Sequence, residues 1–504
     1  MGGVGAALTT CGLGFGVGGI ADIELACTLA QQACDRYRAT TAEQRAQFLE
    51  AIATGILALG VTLIGRASLE TGLPAARLII ERGRTVSQLR LFAKVVRDGH
   101  YLGATLDSAL PTRLPARPDL RLHKIALGPV AVFGASNFPL AFSVAGGDSV
   151  AALAAGCPIV VKAHEAHLGT SELVGRVIQQ AAAAHNLPEG VFSLLIGDGH
   201  LFGQSLVSHP AIKAVAFTGS RQGGLALMRT AAQRNEPIPV YAEMSCINPV
   251  FLLPHALSMR ASEIGRGFVE ALTMSAGQLC TNPGLVIAME GQPLTQFCSA
   301  VLDALRTKAA ATMLTPGIHQ AYLAGIEETG KIKGVTTLGL GCPAEKPCAA
   351  QAALFVTDAT TFLMTGRLGE ETFGPSSLIV ACKNEEEMLA VAEHLSGQLT
   401  ATLQLDDADH GLARKLLPIL ERKAGRILVN GYPNNVEVSY AMVHGGPFPA
   451  SSDSRSSAVG ASAIDRFLRP VCYQNLPAAL MPAALQDGNP LELWRTVNGE
   501  CVLG

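Results

Sequence analysis

Three polar side chains stand where an α/β chain would present chemistry: Asn137 in FGASNFPLAF, Glu243 in VYAEMSCINP and Cys280 in SAGQLCTNPG. A cysteine attacks only as the thiolate, which needs partial exposure and a cation or aligned dipoles nearby. Cys280 follows Gly277 and Gln278, where backbone amides can approach the sulfur or a substrate oxygen, and Pro283 is expected to help end the preceding helical stretch. The competing reading is a buried structural cysteine, which suits Cys157 in AAGCPIVV and Cys382 in LIVACK better. Glu243 comes directly after an apolar strand, so partial desolvation should raise its pKa and suit it to take a proton from a thiol or a water. A surface carboxylate or a charge at a helix N-terminus is the alternative. The Asn137 amide can stabilise a developing oxyanion without delivering a proton. It could equally cap a helix whose first turn would hold Pro139.

The elements that must position these groups are legible as short apolar runs. VAVFGA, PIVVKA, FSLLIG and AVAFTG each end in turn residues and lead into helical segments between residues 128 and 245. Four such units predict a parallel sheet covered by helices on both faces. Ligands of such sheets gather at the carboxyl ends of the strands, which singles out Asn137, Lys162, His164, Glu165, Gly219 and Ser220. No G-x-G-x-x-G turn follows any strand. FTGSRQGG instead lets Gly219 and Ser220 open a helix whose amides can meet a phosphate. Lys162 offers a cation for ribose hydroxyls or phosphate, although a strand-end lysine can also be merely solvated. A second βα-rich segment spans about 246 to 440, with helices near 260–274, 293–312 and 385–396 and strands in LVIAM, LIVAC and RILVNG. Chemistry is expected in the cleft between the two.

Upstream, Thr41 and Gln44 have capping-box spacing ahead of Phe48, Leu49, Ile52 and Ile56, and a second helix is expected from about Ala75 to Val96, interrupted at Gly83. The run GILALGVTLIG is too short to span a bilayer, and the glycine-broken start MGGVGAALTTCGLGFGVGG makes a poor signal peptide. Hydrophobic residues are 49% of the 504, charged residues 16%, and the net charge is -3. That composition describes a globular chain with no basic stripe for nucleic acid and no polybasic membrane patch. Twelve scattered cysteines fit a reducing, cytoplasmic compartment, and Cys342 and Cys348 lack zinc-ligand spacing, so no metal is expected.

In chain order, GASNFPLAF, AALAAGCPIVVKAHEAHLGTSELV, AFTGSRQGG, AEMSCINP, SAGQLCTNPG, EETFGP and RILVNGYPNNVEVSYAMVHGGPFPAS resemble the aldehyde dehydrogenase superfamily over most of the chain. The forms KAHEAHLGTSELV, PVYAEMS and AMVHGGP look like its 2,5-dioxopentanoate (α-ketoglutarate semialdehyde) dehydrogenase branch. The resemblance implies a Rossmann-type parallel-sheet cofactor domain (1–104 and 128–245, with 445–468 returning to it), an α/β catalytic domain (246–444) and an oligomerisation segment (105–127 and 469–504). It implies an NAD- or NADP-dependent enzyme that turns an aldehyde into an acid, assembled as a homodimer or homotetramer. Cys280 would form the thiohemiacetal, Asn137 and the Cys280 N–H would hold its oxyanion, and Glu243 would activate the hydrolytic water. Lys162 would contact the adenosine ribose, Ser220 the pyrophosphate, and Glu371 and Phe373 the nicotinamide ribose and ring.

Several positions depart from the family pattern. Met244-Ser245-Cys246 follows Glu243, which would put an oxidation-sensitive thiol beside the base. His164 precedes Glu165; a Glu165 facing the adenosine ribose would favour NAD, whereas Arg221 would favour NADP. Arg455 or Arg90 would supply the cation for a substrate carboxylate, and His444 is read as a turn residue at the substrate mouth. The rival functions are an aliphatic aldehyde dehydrogenase, a silent structural relative, or a cofactor-free cysteine hydrolase. The last requires a histidine base, and His255 is the sole histidine in the 35 residues before Cys280.

Overall fold

A computed structural model describes residues 7–10, 13–197 and 199–503. The reading of the glycine-rich start falls partly on residues 1–6, 11 and 12, outside the described residues.

Five parallel strands form the first sheet: β1 (Val130–Phe133), β2 (Ile159–Lys162), β3 (Phe192–Leu195), β4 (Ala214–Thr218) and β5 (Val240–Glu243). Their order is β3-β2-β1-β4-β5, so the chain reverses its direction of travel across the sheet between β1 and β4. Alternation along the strands feeds two cores. Val130, Val132, Ile159 and Val161 face a core with Phe48, Leu49, Ile52, Leu89 and Phe92. Ala131, Phe133, Val160 and Val215 face another with Ile23, Cys27, Phe202 and Leu206. Burial on both faces explains why these strands read as unbroken apolar runs.

The helix Ala42–Ala58 begins at the Thr41 capping box, with Gln44 N donating to Thr41 Oγ1 at 3.1 Å. Gly83 does not interrupt the next long helix, which runs unbroken over Ala75–Asp98. A lone glycine costs only about 1 kcal/mol in a helix, and here Leu78, Val86, Leu89 and Phe92 bury the face that offsets it. Among the described residues no single helix is long and apolar enough to cross a membrane, and the apolar run near 55–65 bends by 76° between two helices.

A second sheet of seven strands follows: β6 (Pro249–Leu252), β7 (Leu285–Met289), β8 (Thr336–Leu340), β9 (Ala353–Asp358), β10 (Ser376–Cys382), β11 (Gln398–Gln404) and β12 (Ala424–Val429). The order is β8-β9-β10-β7-β6-β11-β12, parallel except for β8 against β9. The helix expected near 293–312 is shorter, Gln292–Leu305, since residues 311–312 pair with 349–350. Residues 450–452 then run along β5, with Met244 N donating to Ala450 O at 2.8 Å and Ser452 N to Ala242 O at 2.9 Å. A third sheet joins Thr105–Asp107 and Leu120–Ala126 to Leu468–Gln474 and the hairpin Trp494–Val497/Glu500–Leu503.

Candidate active site

The thiol turn owes its shape to backbone conformation. The helix Pro254–Thr273 stops well before Pro283, because Ser275, Ala276 and Gly277 have φ of 53°, 57° and 66°. The expected role for Pro283 therefore falls to three successive left-handed residues. Two of them carry side chains, at a cost of about 1–2 kcal/mol each, so surrounding contacts must hold them. Gly277 supplies one such contact: a Cβ there would lie 2.3 Å from Gly374 C and Pro375 N, so the turn presses directly on the backbone of EETFGP. Behind it, Asn248 Nδ2 donates to Cys280 O at 2.9 Å and Asn282 O at 3.0 Å. Gln398 Oε1 in turn accepts from the Ile247 and Asn248 amides, each at 2.9 Å. Neither Asn248 nor Gln398 stood out in the sequence as a site residue.

No helix starts at Pro139, and Asn137 caps none; the next helix is Gly147–Ala155. The intervening loop is held instead by buried Glu81, whose Oε1 accepts from Leu140 N at 2.8 Å and Ala141 N at 2.9 Å. Arg77, paired with Glu81 at 2.8 Å, donates from Nη2 to Asn137 O at 2.7 Å. This fixes Asn137 so that Nδ2 donates to Gln278 O at 2.9 Å. An amide nitrogen has two hydrogens, which leaves one for an oxygen in the cavity that Asn137 and Cys280 both line.

Glu243 ends β5 and is 4% exposed. Burial pushes its carboxyl up, as expected from the sequence, but the charge and hydrogen bonding of His444 outweigh burial and leave it below the usual carboxylate range. The expected raised pKa is thus corrected: Glu243 stays ionised. His444 Nε2 lies 3.0 Å from Glu243 Oε1 and 3.5 Å from Cys280 Sγ. His444 is therefore no mere turn residue at a mouth but part of the thiol's immediate surroundings. The Cys280 thiol itself is pushed well up, chiefly by burial and then by Glu243. Cys246, expected to be oxidation-sensitive, is buried; its Sγ donates to Asn248 Oδ1 at 3.2 Å and Cys280 O at 3.4 Å, and burial pushes its pKa far up. It acts as an inert donor supporting the turn.

Asn137, Glu243, Cys280, Lys162, Glu165, Gly219, Ser220, Glu371 and Phe373 all line one cavity of about 630 Å³. It opens at the carboxyl ends of β1 and β4, the reversal point where open α/β sheets take ligands. Lys162 Nζ pairs with Glu165 Oε1, and that charge outweighs burial to keep Glu165 ionised. Burial and the neighbouring His167 hold His164 neutral. Ser220 Oγ accepts from Gly223 N at 3.2 Å, capping the helix Arg221–Ala232 and turning its N-terminus to the cavity. Gly219 N donates to Glu243 O at 3.1 Å. Burial pushes the Glu371 carboxyl up to about 8. Arg221 is not among the lining residues; its guanidinium lies 5.7 Å from the Phe448 ring centroid.

Both arginines suggested for a substrate carboxylate are misplaced. Arg455 is exposed and paired with Asp453, and Arg90 is on the exposed side of its helix. A third arginine, Arg84, is electrostatically coupled to Cys280, although it is not among the residues that line the cavity. Its guanidinium lies 5.1 Å from the Phe142 ring centroid, and that ring is 5.9 Å from the His444 ring. Nε and Nη2 of Arg84 are buried without a protein hydrogen-bond partner. Arg426 on β12 is coupled electrostatically to Cys280 and donates to Asn435 O at 2.8 Å and Pro433 O at 2.6 Å, while its Nε stays unpartnered. A signal existed for Arg84: Arg77, Glu81, Arg84 and Gln88 recur at helical spacing among apolar residues.

Fold and site together define a cysteine-dependent oxidoreductase built on a dinucleotide-binding sheet. The chain belongs to the aldehyde dehydrogenase family, whose model matches residues 15–468. It is 59% identical over 487 residues to alpha-ketoglutaric semialdehyde dehydrogenase 2 of Azospirillum brasilense, covering 96% of this chain and 93% of that protein. It is 48% identical over 480 residues to alpha-ketoglutaric semialdehyde dehydrogenase of Acinetobacter baylyi, covering 95% and 91%. The fold is similar to that of a Pseudomonas syringae aldehyde dehydrogenase C variant complexed with NAD+ and octanal, with TM-score 0.77, 21% identity and 92% and 90% coverage.

Proposed function

We propose that this NAD(P)-dependent aldehyde dehydrogenase oxidises 2,5-dioxopentanoate, α-ketoglutarate semialdehyde, to 2-oxoglutarate. The two curated relatives with that activity in their names support the substrate. The structural observation that carries it is Arg84, half-buried and electrostatically coupled to the thiol, with two buried nitrogens lacking a protein partner. An unpaired buried cation is costly unless an anion completes it, and the far carboxylate of an oxo-acid semialdehyde would do so. Phe138 and Phe142, whose rings are 5.3 Å apart, would flank the short chain between carboxylate and aldehyde.

The residues around the cavity fit a nicotinamide dinucleotide. Lys162 and Glu165 would hold the adenosine ribose, the Gly219–Ser220 turn the pyrophosphate, and Glu371 and Phe373 the nicotinamide end; when bound, the dinucleotide supplies the hydride acceptor. The Cys280 S–H bond breaks, its proton passing to the ionised Glu243 carboxylate that hydrogen-bonds the thiol and from there to solvent. Sγ forms a bond to the aldehyde carbon while the carbonyl pair moves to oxygen, where the free Asn137 amide hydrogen and the Cys280 N–H would hold the charge. Hydride transfer to a bound dinucleotide would leave an acyl group on sulfur. Glu243 then takes a proton from water as its oxygen attacks that acyl carbon, and the C–S bond breaks to release the acid. Glu165 facing the cavity while Arg221 stacks elsewhere supports NAD over NADP. The third sheet supports assembly as a homodimer or homotetramer, since its last strand is an open edge flanked by exposed Trp494 and Leu503.

Steady-state kinetics with both cofactors across 2,5-dioxopentanoate, neutral short aldehydes and octanal test the reading. Arg84→Gln should raise KM for the oxo-acid about tenfold or more, as expected for a charged hydrogen bond of about 1.5–3 kcal/mol, and barely change neutral aldehydes. Higher kcat/KM for octanal than for 2,5-dioxopentanoate would sink the substrate assignment.

A further inference from the structure

His164 lines the cavity beside Lys162 and Glu165, yet nothing above gives it a task. Its Nδ1 accepts from Ala166 N at 3.1 Å. An amide hydrogen can meet that nitrogen only where it carries a lone pair, so the ring is neutral and its one N–H is on Nε2. No acceptor for that N–H is found among the described residues, and the side chain keeps 30% of its surface open. We propose that His164 Nε2–H donates to a hydroxyl of the adenosine ribose and so helps to select NAD over its 2′-phosphorylated counterpart. The inference rests on the cavity holding a nicotinamide dinucleotide, and on no particular aldehyde.

The ring is held in place. It stacks on His167, with centroids 5.5 Å apart and planes 24° from parallel. His167 is itself fully buried, its Nε2 lying 3.1 Å from Ala135 O and its Nδ1 3.2 Å from Ser171 Oγ. A carbonyl oxygen only accepts, so Nε2 carries the His167 hydrogen and Nδ1 takes the one from Ser171. Ala135 lies just past β1 and His164 just past the neighbouring β2, so the stacked pair ties two strand ends into one platform. With Nδ1 turned to its own backbone, the edge of the ring that carries Nε2 is the polar part left for the cavity.

A ribose diol needs acceptors and donors together. Ionised Glu165 can only accept, so it takes the hydrogens of the two neighbouring hydroxyls. Lys162 Nζ spends one hydrogen on Glu165 and keeps two, enough to serve one hydroxyl oxygen. His164 Nε2–H serves the other. Each polar group of the diol is then met, which counts in a partly buried site where an unmet one is costly.

The same three residues suit a 2′-phosphate badly. The Lys162 charge is already answered by Glu165, and a phosphate dianion has no hydrogen to give that carboxylate. His164 offers a dipole rather than a charge, since burial and then His167 drive its pKa down to about 3. A charged ring would recruit the phosphate; this neutral one cannot offset its burial. Arg221, the other cation in reach by sequence, is not among the lining residues.

The test is fluorescence titration of the full chain with NADH and with NADPH. His164→Phe keeps a ring to stack on His167 and loses the N–H, whereas His164→Gln keeps an N–H and loses the ring. His164→Phe should weaken NADH binding about five- to tenfold, the worth of one neutral hydrogen bond, and leave NADPH within about twofold of native. His164→Gln should stay within about twofold of native for both. Native-like NADH affinity in His164→Phe, an equal loss for NADPH, or as large a loss in His164→Gln would each overturn the proposal. Should His164→Phe not fold, His164→Ala takes its place with the same outcomes. Native protein that bound neither dinucleotide would fail the cofactor reading itself, whereas native binding with no response at position 164 fails this inference alone.

Discussion

The two sides of the cavity are built on opposite electrostatic plans. On the cofactor side charges and dipoles are already paired: Lys162 with Glu165, Ser220 with its own helix amide. On the thiol side Glu243, His444 and Cys280 crowd together in burial while Arg84 and Arg426 keep nitrogens without protein partners. A paired surface holds a ligand without changing it. A surface of incompletely matched buried charges responds strongly to each charge that appears during reaction, because the local dielectric is low.

Substitutions of the reacting groups on the thiol side should accordingly cost turnover far more than cofactor binding. Cys280→Ala should lower aldehyde oxidation by about 10⁴-fold or more with NADH affinity intact by fluorescence titration; retained oxidation would collapse the contrast. Glu243→Gln should lower kcat by about 10²–10⁴-fold and show a burst of NADH in stopped flow as the acyl-enzyme accumulates. Asn137→Ala should cost about 10²–10³-fold in kcat with little change in KM. The cofactor side should give the smallest effect. The Glu371 carboxyl, pushed up to about 8, is neutral at neutral pH, and loss of its proton would make it a stronger, charge-assisted acceptor for the ribose hydroxyls proposed to meet it. NADH affinity should therefore rise with pH, by at most about tenfold per unit, level off above 8, and become flat in Glu371→Gln.

What the sequence disclosed follows the same division. The strand ends that carry Asn137, Lys162, Gly219 and Glu243 were legible, because a parallel sheet forces apolar runs and leaves its polar residues at the carboxyl ends. Cys280 was legible through its turn, and Thr41 through its capping box. His444 was not: it meets Cys280 across 164 residues, and nothing local distinguishes a glycine-flanked histidine that turns inward from one that turns out. Glu243's low pKa was missed for the same reason, since burial can be guessed from a strand but a partner on a distant loop cannot. Arg84 lay in a helix face that reads as ordinary packing until the loop around Phe138 and Phe142 closes over it. The left-handed Ser275 and Ala276 contradict local preference, and only the packing of Gly277 on Gly374 makes them tolerable.

That last contact has a consequence of its own. Where main chain rests on main chain, no rotamer can absorb an error in spacing, so the separation between the loop carrying the nucleophile and the one carrying Glu371 and Phe373 is set by direct backbone contact. Side chains around Arg84 and Phe142 can therefore be exchanged without altering the interval between the Cys280 turn and the loop that carries Glu371 and Phe373.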